Sequence, residues 1–220
     1  MLASRIGELL APFLGNAGLD KVTLNSISIY IDILQRWNPR INLTAVREAE
    51  AIVTRHFGES FFAARLLFPS GDEKTSLADF GSGAGFPGVP CKLWAPDLRV
   101  TLIEAHSKKV AFLREALRAI RPPSDKSKSI NVFAGRAEDL LQDPDHASGF
   151  DVVTLRAVEQ FDRALPTACR LVALRGRAAL LIGEEQASQV PALEPTFVWH
   201  DPVSLPGSDR RVALVGDRKA

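Results

Sequence analysis

Cysteine is nearly absent: Cys91 and Cys169 are the only two, and they are too far apart in sequence to form a CxxC pair. That leaves no disulfide framework to read from spacing. The chain also lacks HExxH and any tight histidine cluster, so no metal site is expected. An excess of charge of one sign is missing as well. Lys and Arg number 27 against 26 Asp and Glu, a net charge of +1, so the chain has no overall positive field of the kind strongly basic nucleic-acid binders carry. Any contact with nucleic acid must then be local. No stretch approaches the roughly 18 consecutive apolar residues that suggest a membrane span. The opening residues Met1 to Glu8 bring in a carboxylate too early for a signal peptide. These absences together predict a soluble, cytoplasmic protein whose two thiols stay reduced and pack as small core residues.

What the chain does have is apolar content, 46% of its 220 residues, enough for one main body plus a small extension. Leu2, Ile6, Leu9, Leu10, Phe13 and Leu14 recur at three- and four-residue spacing, one face of a helix that ends near Gly15-Asn16. Ile27, Tyr30, Ile31 and Leu34 mark a second helix, with Thr23 and Asn25 as capping candidates and Asn38-Pro39 disfavouring its continuation. A third helical stretch runs from about Glu48 to Leu67 and carries Arg55 and His56.

From Ser76 onward, short apolar runs alternate with helical patterns, the signature of repeated strand–helix units. Seven strands are predicted: Leu77 to Phe80, Val100 to Glu104, Ile130 to Ala134, Asp151 to Leu155, Arg177 to Ile182, Phe197 to His200 and Arg211 to Val215. Helices fit over Lys108 to Ile120, stopping before Pro122-Pro123, and from about Glu159 to Leu174. The Pro-containing connection from Asp201 to Ser208 suits a terminal antiparallel hairpin that places an edge strand on an otherwise parallel sheet. Pro122 to Ser129 reads as an exposed loop. The expected architecture is α/β, a mostly parallel seven-stranded sheet in residues 71–220 with a helical extension in residues 1–70.

The most informative segment is Asp79-Phe80-Gly81-Ser82-Gly83-Ala84-Gly85-Phe86-Pro87-Gly88. A turn that follows a buried strand and opens a helix needs residues without a Cβ where backbone and ligand approach closely, and Gly81, Gly83 and Gly85 supply them. Asp79 reads either as an anchor of this turn, hydrogen-bonded to its backbone, or as a ligand contact. A phosphate-binding Walker A loop is excluded, since Val89-Pro90 follows Gly88 where Lys-Ser or Lys-Thr would be needed. The shifted frame Gly83-x-Gly85-x-x-Gly88 matches a dinucleotide fingerprint, and Glu104, about 20 residues on, can accept hydrogen bonds from ribose hydroxyls. NAD and S-adenosylmethionine fit this pattern equally. Gly135 to Asp139 follows the third strand, where backbone amides and Glu138 can meet an adenine edge. The chain leaves no room for a separate substrate domain and sets no histidine in a recognisable catalytic context, which weakens the nicotinamide reading.

With these segments placed, the chain resembles the RsmG (GidB) family of methyltransferases that act on guanine N7 in small-subunit ribosomal RNA. The resemblance runs from about Tyr30 to Gly183. It is carried by Asn42-Leu43-Thr44-Ala45, the turn from Asp79 to Pro90, Ser107-Lys108-Lys109-Val110-Ala111-Phe112-Leu113, Arg136-Ala137-Glu138 and Leu155-Arg156-Ala157-Val158. It implies a Rossmann-like class I methyltransferase using S-adenosylmethionine on a guanine of the 530 loop of 16S rRNA. By that analogy the cofactor contacts fall on Gly81, Phe86, Ala137, Glu138 and Arg156; Gly83 and Glu104 join them from the turn and spacing arguments. One departure is visible. Where the family commonly has His, an aliphatic pair and Asp-Ser, this chain has His56-Phe57-Gly58-Glu59-Ser60, and no role is assigned to Glu59.

Guanine N7 carries an in-plane lone pair and no proton, so attack on a sulfonium methyl needs no general base, and no catalytic dyad is expected. Arg156 reads as a ligand of guanine O6 or phosphate, as a clamp on the cofactor carboxylate, or as a structural ion pair. Lys108 and Lys109 are candidates for RNA phosphate contacts or ordinary solvated charges, Asn42 for a base edge or a plain turn, and His56 for a core or RNA-facing hydrogen bond. A monomer is expected. An NAD(P)-dependent oxidoreductase and a non-catalytic RNA-binding module on a methyltransferase scaffold are the alternative readings.

Overall fold

A computed structural model describes residues 1–71, 75–120, 129–142 and 149–219. The loop expected over Pro122 to Ser129 lies outside the described residues except for Ser129.

The extension folds as three helical stretches. Helix α1 (Ala3–Leu14) buries Ile6, Leu10, Phe13 and Leu14 of the predicted face, with Leu9 partly buried, whereas Leu2 precedes the helix and is exposed. Helix α2 (Lys21–Ile41) starts one turn earlier than Thr23 and Asn25 suggest, because Asp20 is the cap and accepts the Thr23 N–H at 2.7 Å. It also runs through Pro39 to Ile41. Pro39 sits in the last turn and forfeits only its own N–H bond there, and Asn42, in the left-handed conformation at φ 50, closes the helix with its N–H on the Asn38 carbonyl.

The third stretch combines α3 (Ala49–Ile52), a π-helical segment (Val53–Gly58) and α4 (Glu59–Leu67). In the π segment the Glu59 N–H reaches the Thr54 and His56 carbonyls. An α-helix would instead send it to Arg55. The widened turn changes the phase of the helix, so that Val53, Phe57, Gly58, Glu59, Ser60 and Phe61 are all buried.

The sheet begins with β1 (Ser76–Phe80), followed by α5 (Gly88–Trp94), β2 (Arg99–Glu104), α6 (Ser107–Ala119), β3 (Ile130–Ala134), α7 (Ala137–Leu140) and β4 (Phe150–Arg156). Then come α8 (Phe161–Arg170), β5 (Val172–Gly183), α9 (Glu184–Leu193), β6 (Phe197–Trp199), β7 (Val203–Ser204) and β8 (Arg211–Arg218). The order across the sheet is β3-β2-β1-β4-β5-β8-β6, with β7 paired to β8. All seven expected strands are present, and β7 is an eighth. The β1–β2, β2–β3, β1–β4 and β4–β5 pairs are parallel, while β8 is antiparallel to β5, β6 and β7.

The expected terminal antiparallel hairpin is present: it places β6 at the edge of the sheet, and β8 lies between β5 and β6. Its Val212, Ala213 and Leu214 are all buried, as an interior strand requires, whereas β6 is three residues long with Val198 exposed and suits an edge. The helix expected to reach Leu174 stops at Arg170, because Val172 already pairs with Phe150 as part of β5.

Side chains alternate across the sheet. Leu77, Leu102 and Val152 face one apolar cluster, and Ala78, Ile103 and Val153 face the other. The first cluster also takes in Ile6, Ile31, Phe57, Phe61 and Leu67 of the extension, so the extension and one face of the sheet share a continuous core. The second is covered by α8 and α9 through Leu165, Ala168, Ala187 and Val190. Cys91 and Cys169 are free and buried, one in each cluster. Among the described residues no helix is long and apolar enough to cross a membrane.

Gly58 supplies a test of how the extension packs. In a helix, Gly→Ala ordinarily stabilises by about 1 kcal/mol. A Cβ on Gly58, however, would lie 2.7 Å from two atoms of the Phe13 ring. Gly58→Ala is therefore expected to destabilise the protein by about 1–3 kcal/mol, read as a lowered urea midpoint; a raised midpoint would contradict the packing of α1 on the π segment.

Candidate functional site

Strand β1 lies between β2 on one side and β4 on the other, the switch point where an open α/β sheet leaves a crevice beyond its strand ends. The glycine-rich turn sits at that point. Ser82 N–H bonds the Ile103 carbonyl at 2.9 Å, Ser82 Oγ donates to the Asp79 carbonyl at 2.9 Å, and Gly85 N–H bonds the Ser82 carbonyl at 2.6 Å. Gly85 has φ +83, and a Cβ there would meet the Tyr30 hydroxyl at 2.4 Å. That hydroxyl donates to the Ala84 carbonyl at 2.9 Å, so α2 is wedged under the turn. Gly83, at φ +53, has, among the described residues, only the Gly81 carbonyl oxygen within 4 Å of a would-be Cβ, which leaves its outer side open.

The remaining sequence candidates for the cofactor gather at the same strand ends. Glu104 ends β2; its Oε2 accepts the Gly83 N–H at 2.9 Å and its Oε1 the His106 N–H at 2.7 Å. The carboxylate thus binds the turn itself, and it keeps acceptor capacity beyond those two bonds. Gly135 N–H bonds the Glu104 carbonyl at 3.2 Å, bringing the β3 exit beside it. There Ala137 is buried and Glu138 is exposed at the start of α7. Phe86 is stacked on His56, ring centroids 4.9 Å apart, and meets Tyr30 and Phe57 edge-on.

Arg156 ends β4, and the residue after it, Ala157, is left-handed at φ 49, as is Gln160 at φ 51. Val158 Cγ1 lies 3.2 Å from where a Gly81 Cβ would stand, so this strained exit packs on the turn. The side chain of Arg156 points into the extension. Its Nη2 donates to Glu59 Oε2 at 2.9 Å and to the Arg55 carbonyl, and its Nη1 to the His56 carbonyl and Ser60 Oγ, each at 3.4 Å. Glu59 Oε1 in turn meets Arg211 Nη1 at 2.5 Å. Of the three readings of Arg156, this arrangement displays the ion pair.

The RNA candidates divide. Asn42 is exposed at the end of α2, and Lys108 is exposed and Lys109 half-buried in the first turn of α6 beside the turn. His56 is more enclosed. Its Nε2 lies 2.7 Å from Thr44 Oγ1, which also accepts the Val46 N–H, and Asn38 holds Thr44 through both its amide atoms. The Asn42 to Ala45 motif is therefore tied through Thr44 and His56 to Phe86.

Burial, followed by the charges of Arg156, Arg55 and Arg211, pushes His56 down to about 3, so the ring is neutral. Burial raises Asp79 to about 6 against the hydrogen bond from Thr154 Oγ1 at 2.8 Å. Burial likewise pushes Glu59 above the usual carboxylate range and Arg156 below the usual guanidinium range.

Sequence reasoning missed Tyr30, Glu59 and Arg211. An acid at Glu59 among Phe57, Phe61 and Phe62 is a signal for a buried ion pair. Nothing in the local sequence links it to Arg211, which reaches it from the last strand.

The family described as rRNA small subunit methyltransferase G matches residues 23–207. Among similar proteins, "Ribosomal RNA small subunit methyltransferase G" of Roseiflexus sp. (strain RS-1) is 35% identical over 204 residues, covering 90% of this chain and 84% of its own. The protein of the same name from Xanthomonas oryzae pv. oryzae is 33% identical over 221 residues, covering 100% of this chain and 98% of its own. Among solved structures, a predicted O-methyltransferase from Agrobacterium tumefaciens superposes with a TM-score of 0.56 at 19% identity, over 74% of this chain and 81% of that one. A SAM-dependent methyltransferase from Aquifex aeolicus gives 0.55 at 14% identity, over 73% and 91%.

The neutral His56 makes stability pH-dependent. Between about 3 and the ordinary 6.5 the unfolded chain takes up a proton that the folded protein refuses, so this contribution is lost as pH falls through that window. Asp79 acts oppositely, favouring the folded state at low pH and losing that contribution as pH rises from 3.8 to about 6. His56→Gln removes only the first effect. The gap in urea midpoint between about pH 7.5 and about pH 4.5, taken as the first minus the second, is expected to be smaller in the variant than in the parent protein; an unchanged gap would show that His56 does not titrate in this way.

Proposed function

Because the chain belongs to the rRNA small subunit methyltransferase G family, we propose that it transfers a methyl group from S-adenosylmethionine to N7 of a guanine in the 530 loop of 16S rRNA. The observation that carries this reading is the meeting of the Gly81 to Gly88 turn, Glu104, the β3 exit and the β4 end at the C-terminal ends of the parallel strands β1 to β4, in a chain of that family. The family match does not favour a nicotinamide oxidoreductase.

The residues present fit the cofactor. Gly83 leaves a side of the turn open to a close-lying ligand, and Glu104, already on the Gly83 N–H, has acceptor positions left for ribose hydroxyls. Gly81, Gly83 and Phe86 would line its path, and Ala137 and Glu138 would meet the adenine. Arg156 would border the end that carries the methyl. When bound, S-adenosylmethionine supplies an electrophilic methyl on a positively charged sulfur.

The protein's task is then placement. N7 needs no base, so what the chain contributes is orientation of the guanine in line with the methyl and exclusion of water, which can be worth several kcal/mol. His56 serves this indirectly by stacking on Phe86 of the turn. Asn42, Lys108 and Lys109 face the RNA. Two lysines in the first turn of α6 run against the helix dipole, which favours anions there; a phosphate of the RNA would offset that placement. With such a substrate the protein works in the cytoplasm, as a monomer.

Incubation with tritiated S-adenosylmethionine and small-subunit RNA or subunits, followed by mapping of the modified base, is expected to place the label on a guanine N7 of the 530 loop; label elsewhere, or none, would overturn the reading. Glu104→Ala is expected to weaken cofactor binding in calorimetry by tenfold or more, equivalent to about 1.4 kcal/mol. Tyr30→Phe removes one hydroxyl and leaves the Ala84 carbonyl unpaired, costing about 1–3 kcal/mol of stability. Its cofactor affinity is expected to fall as the turn loosens. Unchanged affinity in both variants would show that the turn does not hold the cofactor.

A further inference from the structure

Two segments distant in sequence converge on the Glu59 carboxylate. Oε2 takes Arg156 from the end of β4, and Oε1 takes Arg211 from the first residue of β8, whose Nε is held by Ser208 Oγ at 3.0 Å. The side chains of Glu59 and Arg156 are 3% and 10% exposed. The backbone around Glu59 is shaped for the same contact. In the π segment the Glu59 N–H turns to Thr54 and His56, which releases the Arg55 carbonyl from the helix ladder, and Arg156 Nη2 donates to that carbonyl. The irregular turn and the ion pair are therefore parts of one arrangement.

Stability alone is a poor explanation for it. A buried ion pair gains little over apolar residues of the same volume, and its better-attested use is to select one geometry among several. The geometry at stake lies one residue further on. Ala157 is left-handed, and Val158 rests on Gly81. Wherever the Arg156 side chain is fixed, the strained Ala157-Val158 exit is fixed against the glycine turn.

We infer that Glu59 is a positioning residue: from the helical extension it locks Arg156 and Arg211 together and so sets the β4 exit over the cofactor turn. This rests on the proposed methyl transfer at those strand ends. Glu59 touches neither cofactor nor substrate in this role and acts through Arg156. The extension thus completes the site from behind, apart from any contact it makes with RNA.

The test compares Glu59→Gln, which keeps the volume and loses the charge, with Glu59→Asp, which keeps the charge, using melting temperature as the fold control. At saturating cofactor and small-subunit RNA, Glu59→Gln is expected to lower kcat by about tenfold or more, with cofactor Kd changed by less than about threefold because the Tyr30 and Glu104 bonds to the turn remain. Glu59→Asp is expected to stay within about threefold of the parent kcat. Amide exchange of residues 55–60 and 156–158 is expected to quicken by about tenfold in Glu59→Gln and much less in Glu59→Asp.

A Glu59→Gln enzyme with unaltered kcat and exchange would overturn the inference, as would equal losses in both variants in proportion to lowered melting temperature. If Glu59→Gln does not fold, Arg211→Gln removes the more exposed ion pair. It is expected to lower kcat by about threefold and to quicken exchange in residues 156–158; no change in either would also overturn the inference. Absence of methyl transfer by the parent protein would refute the proposed function instead, and the exchange measurements would still decide the role of Glu59.

Discussion

The hydroxyl of Tyr30 occupies the place where a side chain on Gly85 would have to go, and it donates to the neighbouring Ala84 carbonyl at 2.9 Å. Much of the site depends on that contact. It requires a residue without a Cβ at φ +83, and it seats the turn on a helix that precedes the sheet in sequence. It also draws Phe57, Phe86 and Phe112 edge-on around a single ring. Edge-to-face pairs of this kind each add about 0.5–1.5 kcal/mol beyond the area they bury. The same cluster that stabilises the extension therefore holds the turn in shape, which is why extension and sheet share one apolar core.

The periodic features could be read from the sequence. Strands β1 to β4 announce themselves as short apolar runs, and the Gly-rich turn followed by an acid at the next strand end places Gly83 and Glu104 together, as the 2.9 Å bond between them shows. What escaped was decided by partners far away in the chain. Which strand of the expected terminal hairpin lies inside follows from pairing across the sheet, and no local pattern in Arg211 to Arg218 distinguishes an interior position from an edge. The continuation of α2 past Pro39 depends on the left-handed Asn42, and left-handed φ at a non-glycine residue is not written in composition. The π segment is invisible for the same reason. Its hydrogen-bond register answers to Phe13 packing on Gly58 and to Arg156 reaching the Arg55 carbonyl, contacts separated by about 45 and about 100 residues. Glu59 lacked an assigned role because its meaning lies in two arginines on other strands.

Seen from the site, the extension does more than cover a sheet face. Asn38 fixes Thr44, Thr44 fixes His56, and the His56 ring lies on Phe86 of the turn. The family motif at Asn42 to Ala45 thus has a structural reason that does not require it to touch RNA. A change in the loop that carries it would reach the turn through the Thr44–His56 hydrogen bond and one stacked pair.

The charges around this arrangement fit the proposed reaction, which would begin with a cationic cofactor and end with a cationic base. Arg55, Arg156 and Arg211 all act on His56, and together with burial they keep its ring neutral. Had it been protonated, another positive charge would sit against the turn. Glu59 is shared between two of those arginines, so their field toward the β4 exit is partly cancelled inside the protein. Asp79 and Glu104 lie under and beside the turn, both enclosed and both hydrogen-bonded. Charges held by fixed partners in a poorly hydrated site act more strongly than the same charges in water and need no rearrangement during the reaction. The proposed methyl transfer, which needs no base, can therefore still depend on the protein's acids, here as fixed counter-charges that let arginines stand near a site where positive charge would also be accommodated.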